Sequence, residues 1–276
     1  VTLSLEELAT HAVEIANQAG LAILEFFEDG DFEQFSKVDE SPVTSADYAA
    51  NEIVMRQLGK LTPNIPIMSE EIDNIPLQQR KKWSRYWLVD PLDGTQEFVA
   101  GRADFAVNIA LVENGKPVLG VIHAPVTKTT FWAVTGLGAH KVFNGKSKQV
   151  QAQEVDPQTT CLRVAISRVQ KLETITKFIK PEVDLEFVSM GSAALKSCLV
   201  AEGAADIYIR VGPTGEWDTG APQVIVEEAG GCILDSEYGE LTYNQRESVM
   251  NPDFMVVSDK LLDWSTLTIP HTSRRD

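Results

Sequence analysis

The stretch Trp87-Leu88-Val89-Asp90-Pro91-Leu92-Asp93-Gly94-Thr95 organises the chain around it. Together with Tyr86, its first three residues form a short apolar run of the kind that fills a buried strand. Asp90 stands at the end of that run, Pro91 forces a turn, and Asp93 returns just ahead of a glycine that permits close backbone approach. Two carboxylates thereby converge on one small volume. Like charges that close repel unless a cation lies between them, and hard oxygen donors select Mg²⁺, Mn²⁺ or Ca²⁺ over zinc. The Leu92 carbonyl is a further oxygen for the same ion. Asp-Pro and Asp-Gly are also ordinary turn dipeptides, so a plain loop is the lesser alternative for this segment taken alone.

Working outward, Ile67-Met68 precedes this strand, and residues 106–112, 118–122, 131–134 and 139–142 follow it as further strands. Asn114-Gly115 and Asn144-Gly145 are hairpin turns, so residues 65–150 predict an antiparallel meander. Upstream, Ser4-Leu5-Glu6-Glu7 is a capping box, and apolar residues from Leu5 to Phe26 recur at helical spacing. After a polar segment, residues 36–47, a second helix is predicted over 45–58 with Gly59 as its stop. Beyond about residue 155 strands and helices alternate. Strands are expected at 162–166, 185–188, 207–209, 232–234 and 254–257, and helices from Leu172, from Ser192 to Gly203, and from Asp218 to Gly230. The pattern predicts an N-terminal α+β part, residues 1–155, carrying most metal-ligand candidates, and a C-terminal α/β part, residues 156–276, completing the site.

Composition narrows the function. The chain has 276 residues, 40 acidic and 24 basic, for a net charge of −16 with 43% hydrophobic residues. That apolar content is near the globular norm and argues against disorder, and a chain of this size can bury roughly three quarters of its unfolded surface, so a sizeable core is available. A strongly negative balance argues against nucleic acid as a partner, while surplus carboxylates suit cations. Cys161, Cys198 and Cys232 form no Cys-x-x-Cys pair, and His11, His123, His140 and His271 have no metal-ligand spacing. A Walker A loop ending at Gly145-Lys146-Ser147 would need glycine where His140 stands, and Gly136-Leu137-Gly138 lacks the third glycine of a dinucleotide fingerprint. No stretch approaches the ~20 apolar residues of a membrane span, and the segment from Val1 has no signal-peptide pattern. A cytoplasmic monomer without a transmembrane segment is expected, with peripheral association at the inner membrane face left open.

Further acids fall at element ends: Glu70 in Ser69-Glu70-Glu71 after a strand, Asp218 in Trp217-Asp218-Thr219 opening a helix, and Asp47 near the start of another. Helix N-termini also offer N–H groups to anions, so Gly94-Thr95 is a candidate for holding a phosphate oxygen. Taken in order, Asp47 in Ser41-Pro42-Val43-Thr44-Ser45-Ala46-Asp47, Glu70, the 90–95 motif and Asp218 make the chain resemble the inositol monophosphatase superfamily of lithium-sensitive, magnesium-dependent phosphomonoesterases. Within it, Ser41-Pro42-Val43-Thr44, Gly94-Thr95-Gln96-Glu97-Phe98 and Gly191-Ser192-Ala193-Ala194-Leu195-Lys196 are similar to the 3'(2'),5'-bisphosphate nucleotidase branch.

That resemblance implies a layered α-β-α-β-α sugar-phosphatase-like fold, with an N-terminal antiparallel sheet and a C-terminal mixed sheet. It implies removal of the 3'-phosphate from adenosine 3',5'-bisphosphate by a metal-activated water, giving AMP and phosphate, a reaction of sulfur metabolism. Glu70, Asp90 and the Leu92 carbonyl would hold one Mg²⁺, and Asp90, Asp93 and Asp218 a second, with Asp90 bridging; Asp47 would favour a weaker third ion. Thr95, with Glu70 or Asp47, would orient the water and accept its proton. Gly94, Thr95, Ser167, Arg168, Gly191, Ser192, Lys196, Arg210 and Asp218 would face the substrate. Two departures stand out. Val169-Gln170-Lys171 occurs where the nucleotidase pattern leads us to expect a histidine, and Gly220-Ala221-Pro222 replaces a run of small residues, with its proline expected in the first helical turn. The alternatives are a sibling phosphatase acting on an inositol phosphate or a sugar bisphosphate, and an inactive metal or nucleotide sensor.

Overall fold

Ser4 caps the first helix as its sequence requires: the Ser4 Oγ accepts from the Glu7 N–H at 3.2 Å, and the Glu7 carboxylate accepts from the Ser4 N–H at 2.7 Å. The computed structural model describes residues 3–36, 42–72 and 75–270. Ser41, which opens the first motif above, and His271 lie outside them, as does the middle of the polar 36–47 segment. In chain order the described elements begin α1 (Leu5–Asp29), β1 (Gln34–Ser36), β2 (Pro42–Thr44), α2 (Ser45–Leu61), β3 (Ile67–Ser69), α3 (Leu77–Arg80) and β4 (Arg85–Asp93). They continue with α4 (Thr95–Val99), β5 (Ala106–Glu113), β6 (Lys116–Ala124), β7 (Thr129–Val134), β8 (Gly138–Phe143) and β9 (Lys146–Val150). The remainder is β10 (Cys161–Ile166), α5 (Leu172–Thr176), β11 (Asp184–Ser189), α6 (Ala193–Ala201), β12 (Ile207–Arg210), α7 (Trp217–Ala229), β13 (Cys232–Asp235) and β14 (Phe254–Val257).

Strands β3 to β9 form a seven-stranded sheet in sequence order, and β10 to β14 a five-stranded mixed sheet in the order β11-β10-β12-β14-β13. The odd residues of β4, Trp87 and Val89, pack with Val107, Ile109 and Val121 against the apolar stripes of α1 and α2. The even residue Leu88 joins Ala110 and Ile122 on the other face, where they meet α6, α7 and the inner face of the second sheet through Tyr208 and Val256. The outer face of that sheet is covered by Ile175 of α5, Phe178 and Trp264. The result is the layered α-β-α-β-α arrangement.

The sequence reading needs three corrections here. The large sheet is antiparallel except for its first pair, because β3 runs parallel to β4. Gly59 does not stop α2, which continues to Leu61 and ends on the Thr62 cap. Glycine costs about 1 kcal/mol inside a helix, less than the burial of Leu58 and Leu61 on either side of it returns. Pro222 lies in the second turn of α7, not the first. With no N–H on Pro222, the Asp218 carbonyl loses its usual intrahelical donor. All three cysteines are free thiols, and no described helix is long and apolar enough to cross a membrane.

Candidate metal centre and active site

β4 delivers its first acid where its pairing with β5 breaks register. Asp90 lies opposite Asn108, and the next paired residue is Asp93, opposite Ala106. The irregularity takes up Pro91 and Leu92 and re-aims the two carboxylates. The Leu92 N–H donates to Asp90 Oδ1 at 3.0 Å. The parallel pairing of β3 sets Ser69 beside Val89, so the residues that follow, Glu70 and Asp90, emerge side by side. The Glu70 N–H donates to the Val89 carbonyl at 3.1 Å. Antiparallel pairing would have sent Glu70 toward the other end of β4.

Asp218 stands in the first turn of α7 and accepts the Gly215 N–H at 2.6 Å. Carboxylate oxygens of Asp90, Asp93 and Asp218 lie within 4.8 Å of one another. Burial, then repulsion from Glu70, Asp93 and Asp218, raises the Asp90 carboxyl well above the ordinary carboxylate range. Burial, Asp93 and Glu70 do the same to Asp218. Asp90 Oδ2 is buried with no hydrogen-bond partner. An orphaned buried oxygen among like charges is costly, and a hard divalent cation removes both costs. The donor set, all oxygen and largely carboxylate, fits Mg²⁺ or Mn²⁺.

Asp93 also ties the two halves of the chain together. Its carboxylate accepts the Ala194 N–H at 2.7 Å, the Ala193 N–H at 3.3 Å and the Ser192 hydroxyl, all at the start of α6. Ser192 caps that helix by accepting the Leu195 N–H at 3.0 Å, and it does so at φ 50, a conformation unusual for a residue with a side chain.

Asp47, 2% exposed, uses both oxygens. Oδ2 accepts the Thr44 N–H at 2.7 Å and the Thr44 hydroxyl at 2.6 Å, completing the capping box of α2. Oδ1 faces the Thr95 hydroxyl at 3.1 Å, which also lies 3.1 Å from the Leu92 carbonyl. Burial raises the Asp47 carboxyl, and these hydrogen bonds oppose the shift. Thr95 is placed by Gly94, whose φ of 98 and close approach to the Asp104 carbonyl, 2.9 Å from where a Cβ would stand, leave no room for a side chain.

The candidate substrate residues divide. Arg168 forms an ion pair with Asp104 and lies 4.0 Å from Glu97. Asp104 also accepts the Gly191 N–H at 3.0 Å, so one carboxylate joins Arg168 to the turn that leads into Ser192. A Cβ on Gly191 would lie 2.6 Å from the side chains of both Asp104 and Glu97. Ser167 accepts the Val169 N–H at 3.4 Å, and Val169, in the departure from the expected histidine, is 69% exposed. Arg210 donates to the Pro213 carbonyl at 2.9 Å. Lys196 is turned inward. Its ammonium donates to the Ser192 carbonyl at 2.7 Å and the Gly191 carbonyl at 3.4 Å, and lies 5.0 Å over the Tyr208 ring. Burial depresses it to about 8. Asp104 escaped the sequence reading, and Glu97 and Thr44 entered it only within quoted motifs, with no role of their own. Thr44 precedes Asp47 at capping-box spacing, a usable signal; Asp104 acquires its partners only across the fold.

An oxygen-lined cluster of acids at the junction of an α-β-α-β-α fold, with a Thr–Asp pair beside it, defines a metal-assisted phosphatase type of site. The chain belongs to the inositol monophosphatase family, whose model matches residues 4–265. It is 41% identical over 267 residues to the 3'(2'),5'-bisphosphate nucleotidase CysQ of Haemophilus influenzae, covering 95% of this chain and 97% of that one. It is 44% identical over 244 residues to the enzyme of the same name from Salmonella typhimurium, covering 88% and 96%. Among solved structures, CysQ from Bacteroides thetaiotaomicron, a bacterial member of the inositol monophosphatase family, superposes with a TM-score of 0.78 at 36% identity, covering 91% of this chain and 97% of that one.

Proposed function

We propose that this chain is a magnesium-dependent 3'(2'),5'-bisphosphate nucleotidase that hydrolyses the 3'-phosphate of adenosine 3',5'-bisphosphate to AMP and inorganic phosphate. The observation that carries the chemistry is the convergence of Asp90, Asp93 and Asp218 within 4.8 Å. The choice of substrate rests on the similarity to nucleotidases over nearly the whole chain. Asp90, Asp93 and Asp218 would hold one cation, and Glu70, Asp90 and the Leu92 carbonyl a second, with Asp47 beside a weaker third. When bound, the cations offset the acidic charge, polarise the phosphoryl oxygens and lower the pKa of water.

The residues themselves do the positioning. By donating its hydrogen to Asp47 Oδ1, the Thr95 hydroxyl keeps its lone pairs for the hydrogen of an attacking water, and Asp47 is the base behind it. The N–H groups that follow Gly94 are suited to a phosphoryl oxygen. Arg168, held by Asp104 at the rim, and Arg210 offer positive charge to the second phosphate. Ser167, Gly191 and Ser192 line the approach, and Lys196 acts from beneath by bracing the backbone of the last two. Residues 1–155 supply Asp47, Glu70, Asp90, Asp93 and Thr95, and residues 156–276 close the site with Asp218 and the nucleotide contacts. Free thiols suit a cytoplasmic setting.

Phosphate release with Mg²⁺ from adenosine 3',5'-bisphosphate, inositol 1-phosphate and fructose 1,6-bisphosphate, measured side by side, tests the assignment. The nucleotide is expected to have the highest kcat/KM by at least about tenfold. A higher value for the inositol or sugar substrate would make the chain a sibling phosphatase, and no turnover of any of them would favour a sensor.

A further inference from the structure

Asn108 is the one polar residue in the run Ala106-Val107-Asn108-Ile109-Ala110-Leu111-Val112. It lies directly opposite Asp90 in the antiparallel pairing of β4 with β5, so the two side chains leave the same face of the sheet with Cβ atoms about 5 Å apart. That face is the one covered by α6 and α7. Leu88 and Ala110, the next residues along each strand on this face, share a core with Ala194 and Ala221. Gly220, two residues beyond Asp218, packs on both of them. Asn108 therefore sits in the apolar layer beneath the carboxylate cluster.

There it is 1% exposed, and neither Nδ2 nor Oδ1 has a hydrogen-bond partner. Its cross-strand neighbour shares the condition, since Asp90 Oδ2 is also buried and unpartnered. An amide offers two donor hydrogens and an acceptor oxygen, and leaving all of them unused in the core is destabilising; an apolar residue of the same size would pack there without that penalty. Two adjacent orphans, one an acceptor and one carrying both functions, call for a common partner.

We propose that Asn108 is a positioning residue of the metal centre. With a divalent cation on Asp90, Asp93 and Asp218, the Asn108 amide N–H would donate to Asp90 Oδ2 and its oxygen would accept from a water of the cation's shell, and so fix the orientation of Asp90. In the metal-free protein the same amide is a liability. The assignment rests on the metal centre proposed above.

The test is calorimetric titration of Mn²⁺ into the chelator-treated full chain without substrate, paired with metal-free melting curves. Asn108→Leu, close in size and apolar, is expected to melt at or above the parent temperature without metal, yet to bind Mn²⁺ ten- to hundredfold more weakly. Affinity within threefold of the parent overturns the proposal. So does a drop of more than about 5 °C in metal-free melting, because it would mean that the amide is already satisfied in the metal-free core. Should the leucine variant not fold, Asn108→Ser decides by the same threefold criterion. Asp93→Asn is the control on the centre itself. A parent that binds no Mn²⁺, with Asp93→Asn indistinguishable from it, would sink the metal centre and this inference together, whereas normal binding in the parent and both Asn108 variants sinks this inference alone.

Discussion

Asp47 carries two loads with two oxygens. One completes the cap of α2, worth about 1 kcal/mol in comparable helices, and the other meets the Thr95 hydroxyl. An acid at the third position of a helix is commonplace, so its sequence context cannot distinguish a cap from a base; the structure shows the cap and turns the second oxygen to Thr95, as the base role proposed above requires. Thr95→Ala removes only the group facing the site and leaves the cap intact. It is expected to lower kcat about a hundredfold, about 2.7 kcal/mol of barrier, with KM unchanged within threefold, and Thr95→Ser should recover most of the loss. A loss confined to KM in steady-state assays would instead make Thr95 a substrate contact. Lys196 teaches the opposite lesson. In the sequence it looks like a phosphate ligand, but its ammonium is spent on the carbonyls of Gly191 and Ser192, where it steadies the turn that holds Ser192 at positive φ.

Between elements, the contact of α1 with β6 is set by a small residue over a ring. Gly20 allows the helix to approach so closely that a Cβ there would lie 2.7 Å from the His123 ring. His123 is 4% exposed, its Nδ1 lies 2.9 Å from the Thr130 hydroxyl on β7, and burial depresses its pKa to about 4. Because the folded value lies below that of an unfolded histidine, about 6.5, the unfolded chain takes up the proton first. Stability from this group is complete above about pH 6.5 and is lost as pH falls toward 4, by about 3 kcal/mol across the window. Urea unfolding at pH 7 and pH 4.5 should show that difference in the parent and a smaller one in His123→Gln, which has no proton to gain; equal pH dependence in the two would rule it out. Elsewhere, the start of α6 is held by the carboxylate of a residue from the other half of the chain, Asp93. That makes the start of α6 an anchor between the site's two contributions.

In the whole molecule, the central helical layer lies between two sheets, and the acids of the site come from that layer, through Asp218 of α7, and from the larger sheet beside it, through Asp90 and Asp93 of β4. A chain of net charge −16 that gathers buried carboxylates at such a junction stores repulsion there. Binding a cation to the folded state alone should therefore stabilise the entire molecule. At a hundred times its dissociation constant, Mg²⁺ is expected to add about 2.7 kcal/mol and raise the melting temperature by at least about 5 °C. Calorimetric melting with Mg²⁺ and with a chelator checks this, and Asp93→Asn should remove most of the difference; an unchanged parent would argue against a built cation site.

Alternation of apolar residues, the capping boxes and the Asn-Gly turns each depend on neighbours a few positions away, so the sequence by itself determined most elements, the change from meander to strand–helix alternation, and the pairing of Asp90 with Asp93; that Asp218 joins them came from the family resemblance. Asn108 passed in the sequence as one more residue of the apolar strand 106–112; its significance comes from Asp90 opposite it. Only the tertiary structure decided that β3 runs parallel to β4, which is what sets Glu70 beside Asp90. Tertiary contacts also carried α2 past Gly59, gave Asp104 its hold on Arg168 and Gly191, and turned Lys196 inward. Strand direction, helix length and the partners of a charged side chain follow from which layer packs on which. The energy of that packing comes from residues scores of positions apart, beyond the reach of any local pattern.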